Sequence, residues 1–234
     1  MNKLVDSVDD WPAYQTILSE TGFALLPSIL PPDDCRQLAS LFDAPDLFRN
    51  SIMMQRHGYG SGEYKYFSYP LPPVVDALRH DLFPKLASVA NGWNEQLGLA
   101  QRYPTNLDSW LATYHAAGQT RPTPLILRYR PGDWNALDQD MYGDLHFPFQ
   151  AVLFLNQPGT DYVGGEFVLL EQRPRMQSKA TVLQLQQGQI LLFTTKYRPV
   201  KGTRGYYRVT MRHGVSEVKS GQRVNLGLIF HDVV

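Results

Sequence analysis

The sequence contains a single cysteine, Cys35, among 234 residues. One thiol cannot form an intramolecular disulfide, and there is no CxxC pair or zinc-knuckle spacing. A disulfide scaffold and a cysteine-based zinc site are therefore excluded. A chain that needs no disulfide is typical of a reducing compartment, so we expect a cytoplasmic protein.

The chain also lacks net charge, because 22 Lys and Arg residues balance 22 Asp and Glu residues. Without a charge excess there is no bulk attraction to nucleic acid or membrane, although a local patch can still bind either. No apolar run approaches the roughly 20 residues that cross a bilayer. The opening MNKLVDSVDDW is acidic rather than apolar, unlike a secretory signal. We expect no membrane partner.

The composition is that of a globular protein, with 43% hydrophobic and 19% charged residues. No linker or internal repeat divides it, so we expect one domain over 1–234. Residues 1–122 are predicted to be mainly helical support. Helical patterns occur in WPAYQTILSETG after Asp10, in PPDDCRQLASLFD, and in 72–98, which reads as one kinked helix or two short ones.

The segment RHGYGSGEYKYFSYPLPP, 56–73, is rich in Gly, Tyr and Phe and has no clear period. It is expected to be a loop that either packs its own aromatic rings or faces a substrate. From 123 to 234 the pattern changes to short β-type runs separated by turn signals, which is typical of a sandwich or barrel. These runs are TPLILRY, QAVLFL, EFVLL, TVLQLQ, QILLFTT, YYRVTMRHGVS and RVNLGLIFHD.

The stretch NALDQDMYGDLHF, 135–147, places three aspartates and a histidine directly before an apolar run. Asp138 and Asp140 are two positions apart, so on a strand they would share one face, as two ligands of one metal do. Alternatively they are turn residues after RPGDWN, and Asp144 is expected to be a turn residue.

A metal site on this strand needs a distant further ligand, and His213 in YYRVTMRHGVS is the candidate. Arg223 follows ten residues later. Non-haem iron oxygenases bind their metal with two histidines and one carboxylate. A nearby arginine can hold a dicarboxylate co-substrate with two parallel hydrogen bonds. The alternatives are a buried core histidine and an ordinary strand arginine.

With these residues in place, the chain resembles the Fe(II)/2-oxoglutarate-dependent oxygenases. It is most similar to a bacterial family labelled either proline hydroxylase or oxidative DNA-dealkylation enzyme. The resemblance spans nearly the whole chain, and LILRYRPGDWNALDQD also resembles the AlkB-type repair dioxygenases. The matching blocks are RHGYGSGEYKYFSYPLP, HAAGQTRPTPLILRY, PGDWNALDQDMYGD, FPFQAVLFLNQPG, GGEFVLLEQRPRMQS, GTRGYYRVTMRHGVS and GQRVNLGLIFHD.

The resemblance implies an α+β fold, in which N-terminal helices pack on a double-stranded β-helix (a cupin-like jelly roll) over 123–234. It implies the cofactors Fe(II) and 2-oxoglutarate, with O₂ as co-substrate. It makes Asp140 the carboxylate ligand and His213 the distal histidine ligand. Arg223 would pair with the far carboxylate of 2-oxoglutarate, and Tyr129 would contact the same molecule.

One position departs from the family pattern, because Asp138 stands where the family's His-Gln-Asp motif has its first metal histidine. Three interpretations are open. Asp138 binds the metal, and the more anionic ligand set then favours Mn or Mg relative to Fe. His146 takes over as ligand. Or catalysis is lost or severely weakened.

The segment from Arg173 to Arg208 contains eight Lys and Arg residues and no acid. Tyrosines are interleaved with them, as in surfaces that bind phosphates and stack bases. The alternative is a solvated face paired with acids elsewhere.

From the resemblance we expect a dioxygenase that hydroxylates a C–H bond. The basic segment favours oxidative dealkylation of damaged nucleobases. The alternatives are a proline or prolyl hydroxylase, and a jelly-roll binding module without competent iron.

Overall fold

The computed structural model describes residue 5 and residues 8–140 and 146–234. The predicted turn residue Asp144 therefore lies outside the described residues. No helix among the described residues is long and apolar enough to cross a membrane. The helices are α1 (Trp11–Thr21), α2 (Pro32–Ser40), α3 (Pro73–Gln96) and α4 (Leu107–Ala116).

The strands of the described residues carry the site and are numbered in chain order. They are β1 (Phe23–Ser28), β2 (Phe48–Met53), β3 (Gly60–Ser61), β4 (Glu63–Phe67), β5 (Leu125–Tyr129), β6 (Trp134–Asp138), β7 (Phe149–Phe154), β8 (Tyr162–Gly164), β9 (Phe167–Gln172), β10 (Lys179–Leu183), β11 (Gln189–Thr194), β12 (Tyr197–Gly202), β13 (Gly205–Val215), β14 (Val218–Gly221) and β15 (Arg223–Ile229).

The helices follow the local signals of the sequence. Before α1, the Asp10 carboxylate accepts the backbone N–H of Ala13 at 3.3 Å, and Gly22 ends the helix at a φ of 84°. A left-handed residue at this position is the common helix stop, and glycine adopts it without strain. The segment around Pro84 is one continuous helix, α3, rather than two short ones.

Two antiparallel sheets form the centre of the molecule. The larger has the order β1-β11-β7-β15-β5-β4-β2, and the smaller has the order β10-β9-β13-β6-β3, with β12 paired to β13. Strand β7 explains the apolar run after the aspartates. Its Ala151 and Leu153 pack in the core beneath the helices, whereas Val152 and Phe154 pack against the smaller sheet. A strand buried on both faces is apolar along most of its length, and Gln150 is the polar exception in β7.

The N-terminal half contains strands that the sequence patterns did not predict. Strands β1, β2 and β4 extend the larger sheet on both sides. The segment 56–73 was expected to be a loop, but β4 lies inside it and pairs with β5. Tertiary pairing explains the difference, because an irregular aromatic sequence becomes a strand when a partner strand satisfies its backbone.

The C-terminal segment is clamped to the helices by a buried ion pair. Arg79 of α3 donates from Nη2 to the Asp232 carboxylate at 2.7 Å, and both side chains are almost completely buried. Arg79 Nε also donates to the carbonyl of Ile229 at 2.8 Å. Tyr69 and His115 bond the other carboxylate oxygen, each at 2.8 Å. This network sets the position of the last strand, β15.

Candidate active site

A cavity of about 540 Å³ opens between the two sheets. The larger sheet lines it with tyrosines and the inward residues of β15, and the smaller sheet lines it with the end of β6 and with β13. The polar lining includes Asp138, Asp140, Gln150, His213 and Asn225. The cavity therefore contains the residues that the sequence marked for metal chemistry.

Asp140 and His213 meet inside this cavity. The distance between Asp140 Oδ2 and His213 Nε2 is 3.3 Å. His213 is buried against Phe167 and Phe193, with ring centroids 5.9 and 4.8 Å away. Two ligands that each lie about 2.1 Å from one metal ion, at right angles, are about 3 Å apart. The spacing suits two neighbouring ligands of one ion.

The electrostatics keep the Asp140 carboxylate ionised. Burial acts to raise its pKa, but the interaction with His213 outweighs burial, and the pKa lies below its usual value. Gln150 Nε2 is buried and has no hydrogen-bond partner within the ranges the structure describes. A carboxylate oxygen, an imidazole nitrogen and an unused buried amide donor fit a metal ion with a polar co-ligand.

Gln139, between the two aspartates, holds this segment in place. Its Nε2 donates to the carbonyls of Lys196 and Met211 at 2.6 and 2.9 Å. Its side chain thus bonds to β13 and the turn before β12. The sequence patterns predicted no role for Gln139. Its position between Asp138 and Asp140 places it on the opposite face of the strand from them, and this could have indicated a supporting role.

Asp138 lines the cavity, but its carboxylate bonds to the backbone. It lies opposite His213 in the β6–β13 register and lines the cavity. Its side chain is exposed, however, and Oδ1 accepts the backbone N–H of Gln139 at 2.7 Å. Among 8–140 and 146–234, no cluster of three or more His, Cys, Asp or Glu side chains has metal-holding geometry. Two of the three predicted metal residues are in contact, and the third is adjacent.

His146 lies elsewhere. It lines a second cavity of about 190 Å³, together with Trp93, Tyr103 and Tyr197, and it is not among the lining residues of the larger cavity. Burial, aided by the charge of Lys196, lowers the pKa of His146. The geometry therefore disfavours His146 as a replacement ligand.

Arg223 and Tyr129 form a pair beside the cavity, which Tyr129 lines and Arg223 does not. They face each other in the β15–β5 register, and the guanidinium lies 5.2 Å from the Tyr129 ring and 5.1 Å from the Phe154 ring. Both are buried. Burial lowers the pKa of Arg223, and Tyr129 and Tyr162 oppose that effect. Burial raises the pKa of Tyr129 to about 12, opposed by Arg223.

Asn225, which the sequence analysis did not select, lies between Arg223 and the cavity. With its amide oxygen turned to Arg223, it accepts from Nη1 at 2.6 Å and Nη2 at 3.2 Å. Its position two residues after Arg223, on the same face of β15, could have indicated that Asn225 lies beside the guanidinium. A buried guanidinium whose neutral partner can be displaced is suited to a carboxylate.

The basic segment from Arg173 to Arg208 is only partly free. Glu171, just outside it, pairs with Arg173 at 2.8 Å and Arg198 at 2.7 Å. Arg208 lies over the Tyr197 ring at 4.8 Å. Exposed cations without an ion pair among the described residues remain on and beside the smaller sheet. They are Arg175, Lys179, Lys201, Arg204 and Arg208.

Comparison with known proteins agrees with this geometry. Residues 62–233 match the family model of an oxygenase described as catalysing oxidative methylation of damaged DNA. An uncharacterized protein of Mycobacterium tuberculosis is 52% identical over 166 residues, which cover 71% of each chain.

Solved structures share the fold at low sequence identity. A Pseudomonas putida prolyl-4-hydroxylase has a TM-score of 0.58 at 16% identity, covering 94% of this chain and 98% of that one. A Burkholderia pseudomallei oxidoreductase of the 2OG-Fe(II) oxygenase family has a TM-score of 0.55 at 15% identity, covering 96% and 93%. The chain belongs to the oxygenase family whose model it matches.

Proposed function

We propose that Asp140 and His213 hold Fe(II), with Asp138 as the third protein ligand, and that Arg223 and Tyr129 position 2-oxoglutarate. The observation that carries this proposal is the 3.3 Å approach of Asp140 to His213 inside the interior cavity. In this assignment the two sheets are a double-stranded β-helix, 123–234 is its core, and 1–122 supports it within a single domain.

When bound, iron and 2-oxoglutarate would reduce O₂, with one oxygen atom entering the C–H bond of the substrate as a hydroxyl and the other entering succinate as CO₂ is released. The residues of the chain provide orientation and shielding. Arg223 binds the far carboxylate of 2-oxoglutarate in place of Asn225, and Tyr129 packs against the guanidinium. Phe167 and Phe193 fix the His213 ring and exclude water around it.

Asp138 reaches the metal in this proposal by releasing the N–H of Gln139. The set then contains two carboxylates and one imidazole. Carboxylates suit Mn²⁺ and Mg²⁺ better than imidazole does, so the preference moves toward these ions relative to the usual two-histidine site. The second candidate is a binding module without competent iron, and the engagement of Asp138 with the backbone favours it.

The substrate we propose is an alkylated nucleobase. Hydroxylation of an N-methyl group gives an unstable hemiaminal that releases the alkyl group, whereas hydroxylation of a prolyl ring gives a stable alcohol. The family description, which names damaged DNA, and the exposed cations of the 173–208 segment both support a nucleic acid. The likeness to prolyl hydroxylases concerns the fold alone and carries no argument about substrate.

Metal binding and turnover test the site. The chain and its Asp138→His variant are loaded anaerobically with Fe(II), exposed to air with 2-oxoglutarate, and assayed for succinate. Metal binding is measured separately by titration with Mn²⁺. Turnover by the chain itself, with little gain in the variant, supports Asp138 as a ligand. A silent chain beside an active variant supports the binding module. Absence of metal binding by both overturns the site.

Salt dependence tests the substrate class. Binding of single-stranded DNA that carries a methylated base is measured against NaCl. If the exposed cations meet phosphates, the logarithm of affinity falls with a slope of about −0.7 per contact. Lys201→Gln and Arg204→Gln each reduce the slope by about that amount, whereas Lys219→Gln, outside the segment, does not. A flat salt dependence, with tighter binding of a proline peptide, contradicts the proposal.

A further inference from the structure

Two stacked rings stand at the rim of the large cavity. The ring centroids of His57 and Tyr59 are 5.4 Å apart and their planes differ by 18°. Both residues line the cavity, and both are exposed, Tyr59 to 45%. The core has its own aromatic contacts and does not use these rings. An exposed, ordered stack beside a polar cavity is therefore available to a ligand.

The backbone beside this stack is packed against β6, the strand that ends at Asp138. Gly58, between the two rings, has a φ of 74°, which a residue with a side chain rarely adopts. Gly60 approaches so closely that a Cβ there would lie 2.3 Å from the carbonyl oxygen of Trp134. Ala136 donates its N–H to the carbonyl of Tyr59 at 2.9 Å. These contacts join the backbone of Tyr59 and Gly60 to β6.

Below the rim, the cavity wall continues with hydroxyl groups toward the metal residues. Burial raises the pKa of Tyr64, and the neighbouring Tyr66, Tyr59 and Asp140 add to that effect. Tyr64 and Tyr66, with ring centroids 5.4 Å apart, line the same cavity as Tyr59 and Asp140. A ring that rests on Tyr59 has polar partners beside it and the Asp140–His213 pair within the same cavity.

The charge beside the stack is positive. Arg56 directly precedes His57, is exposed, and makes no ion pair with any residue that the structure describes. A cation next to an exposed aromatic stack is the combination that binds single-stranded nucleic acid, because bases stack while phosphates are neutralised.

We propose that His57 and Tyr59 form a stacking platform that receives an unstacked nucleobase at the cavity mouth, with Arg56 facing a phosphate of the same strand. This inference rests on the proposed nucleobase substrate and names its recognition residues. Stacked rings are themselves about 4.5–7 Å apart. The 5.4 Å separation therefore leaves no room for a base between the two rings, and the base adds to the outer face of the stack.

The experiment uses a single-stranded oligodeoxynucleotide with one 2-aminopurine, whose fluorescence is quenched when the base stacks. Titration with the full chain gives affinity and quenching together. Tyr59→Ala is expected to weaken binding by about five- to 150-fold and to relieve the quenching, because one base loses its stacking partner. Tyr59→Phe keeps the ring and is expected to remain within about twofold of the original chain.

Trp134→Ala is the matched control, because Trp134 is 44% exposed on the adjoining strand but does not line the cavity. It is expected to bind as the original chain does. Equal binding by Tyr59→Ala and Trp134→Ala overturns the platform, as does absence of DNA binding by the original chain. If Tyr59→Ala weakens binding of a proline-rich peptide but not of DNA, the occupant is a peptide and the inference is also overturned.

Mn²⁺ titration of the same proteins separates the two proposals. Intact metal binding with no effect of Tyr59→Ala means that the platform alone fails. Loss of metal binding by the original chain, with the stacking effect preserved, means that the assigned metal site fails while the platform stands. Thermal melting of Tyr59→Ala is expected to match that of the control, since both side chains are similarly exposed.

Discussion

Asp140 Oδ2 and His213 Nε2 lie 3.3 Å apart, although strands of both sheets lie between them in the sequence. The pairing of β6 with β13 places His213 opposite Asp138, and the chain then carries Asp140 past the end of β6 toward the imidazole. The metal site that we propose thus depends on one strand pairing and on the segment that leaves it.

His213 and His146 line different cavities, so their substitution should affect Mn²⁺ affinity differently. His213→Ala removes the neighbour of Asp140 and should weaken Mn²⁺ binding by more than the roughly 10–100-fold attributed to outer partners of metal ligands. His146→Ala, in the other cavity, should leave Mn²⁺ affinity unchanged. Calorimetric titration measures both. A larger loss in His146→Ala would reinstate His146 as the replacement ligand.

Replacing Gln139 by Met removes two donated hydrogen bonds and leaves the carbonyls of Lys196 and Met211 without this partner. We expect a loss of about 1–3 kcal/mol in the free energy of unfolding, and weaker Mn²⁺ binding because Asp140 is less well held. Urea unfolding and Mn²⁺ titration measure the two effects. The exposed Gln37→Met is the control. Full metal affinity in Gln139→Met would remove its positioning role.

Arg223→Lys retains a positive charge but removes the planar, two-pronged donor. We expect the Kd for 2-oxoglutarate to rise about tenfold or more, the effect of losing one hydrogen bond to a charged group. Quenching of tryptophan fluorescence by 2-oxoglutarate in the Mn²⁺-loaded protein measures it. Arg212→Lys, exposed on β13, is the matched control. If both variants bind alike, Arg223 does not hold the co-substrate.

Asp232→Ala breaks the buried pair with Arg79 and leaves a guanidinium uncompensated. The free energy of unfolding should fall by about 3–5 kcal/mol. The double variant Arg79→Met, Asp232→Leu should regain some of that loss, because no charge is then buried. Asp33→Ala, in the exposed pair with Arg36, should have little effect. Urea unfolding measures these changes. If Asp232→Ala and Asp33→Ala lower the free energy of unfolding equally, this account is contradicted.

Acid should destabilise the protein through His231. Burial, with the charges of Arg79 and His146, lowers the pKa of His231 to about 3 from 6.5. Below pH 6.5, His231 therefore takes up a proton in the unfolded chain but stays neutral in the folded chain. Stability present above pH 6.5 is lost on acidification, by up to about 1.4 kcal/mol per pH unit.

Urea unfolding between pH 7 and pH 5 measures this loss at pH values above the usual pKa of Asp and Glu, so that carboxylates contribute little. His231→Phe keeps a ring beside Tyr114 and should reduce the slope by that contribution. His80 is a useful contrast, because hydrogen bonds to Asp108 and Asp76 raise its pKa against burial and give the opposite sign. An unchanged slope in His231→Phe would mean that His231 is protonated in the folded protein.

Elements with strong local signals could be predicted from the sequence alone. Asp10 and Gly22 delimit α1, and the apolar runs after residue 123 became strands, because capping and period-two burial depend on neighbouring residues. The family followed from several blocks in fixed order. The positions of β1, β2 and β4 could not be predicted, because they depend on pairing with distant strands.

The geometry around the aspartates depends on contacts between distant parts of the chain. Side-chain direction follows a period of two only while a strand lasts, and β6 ends at Asp138. Asp140 and His146 lie beyond that end, so their surroundings depend on contacts with His213 and with the second cavity. In the same way, Gly60 pressing against β6 places Tyr59 at the rim, which no local pattern in 56–73 indicates.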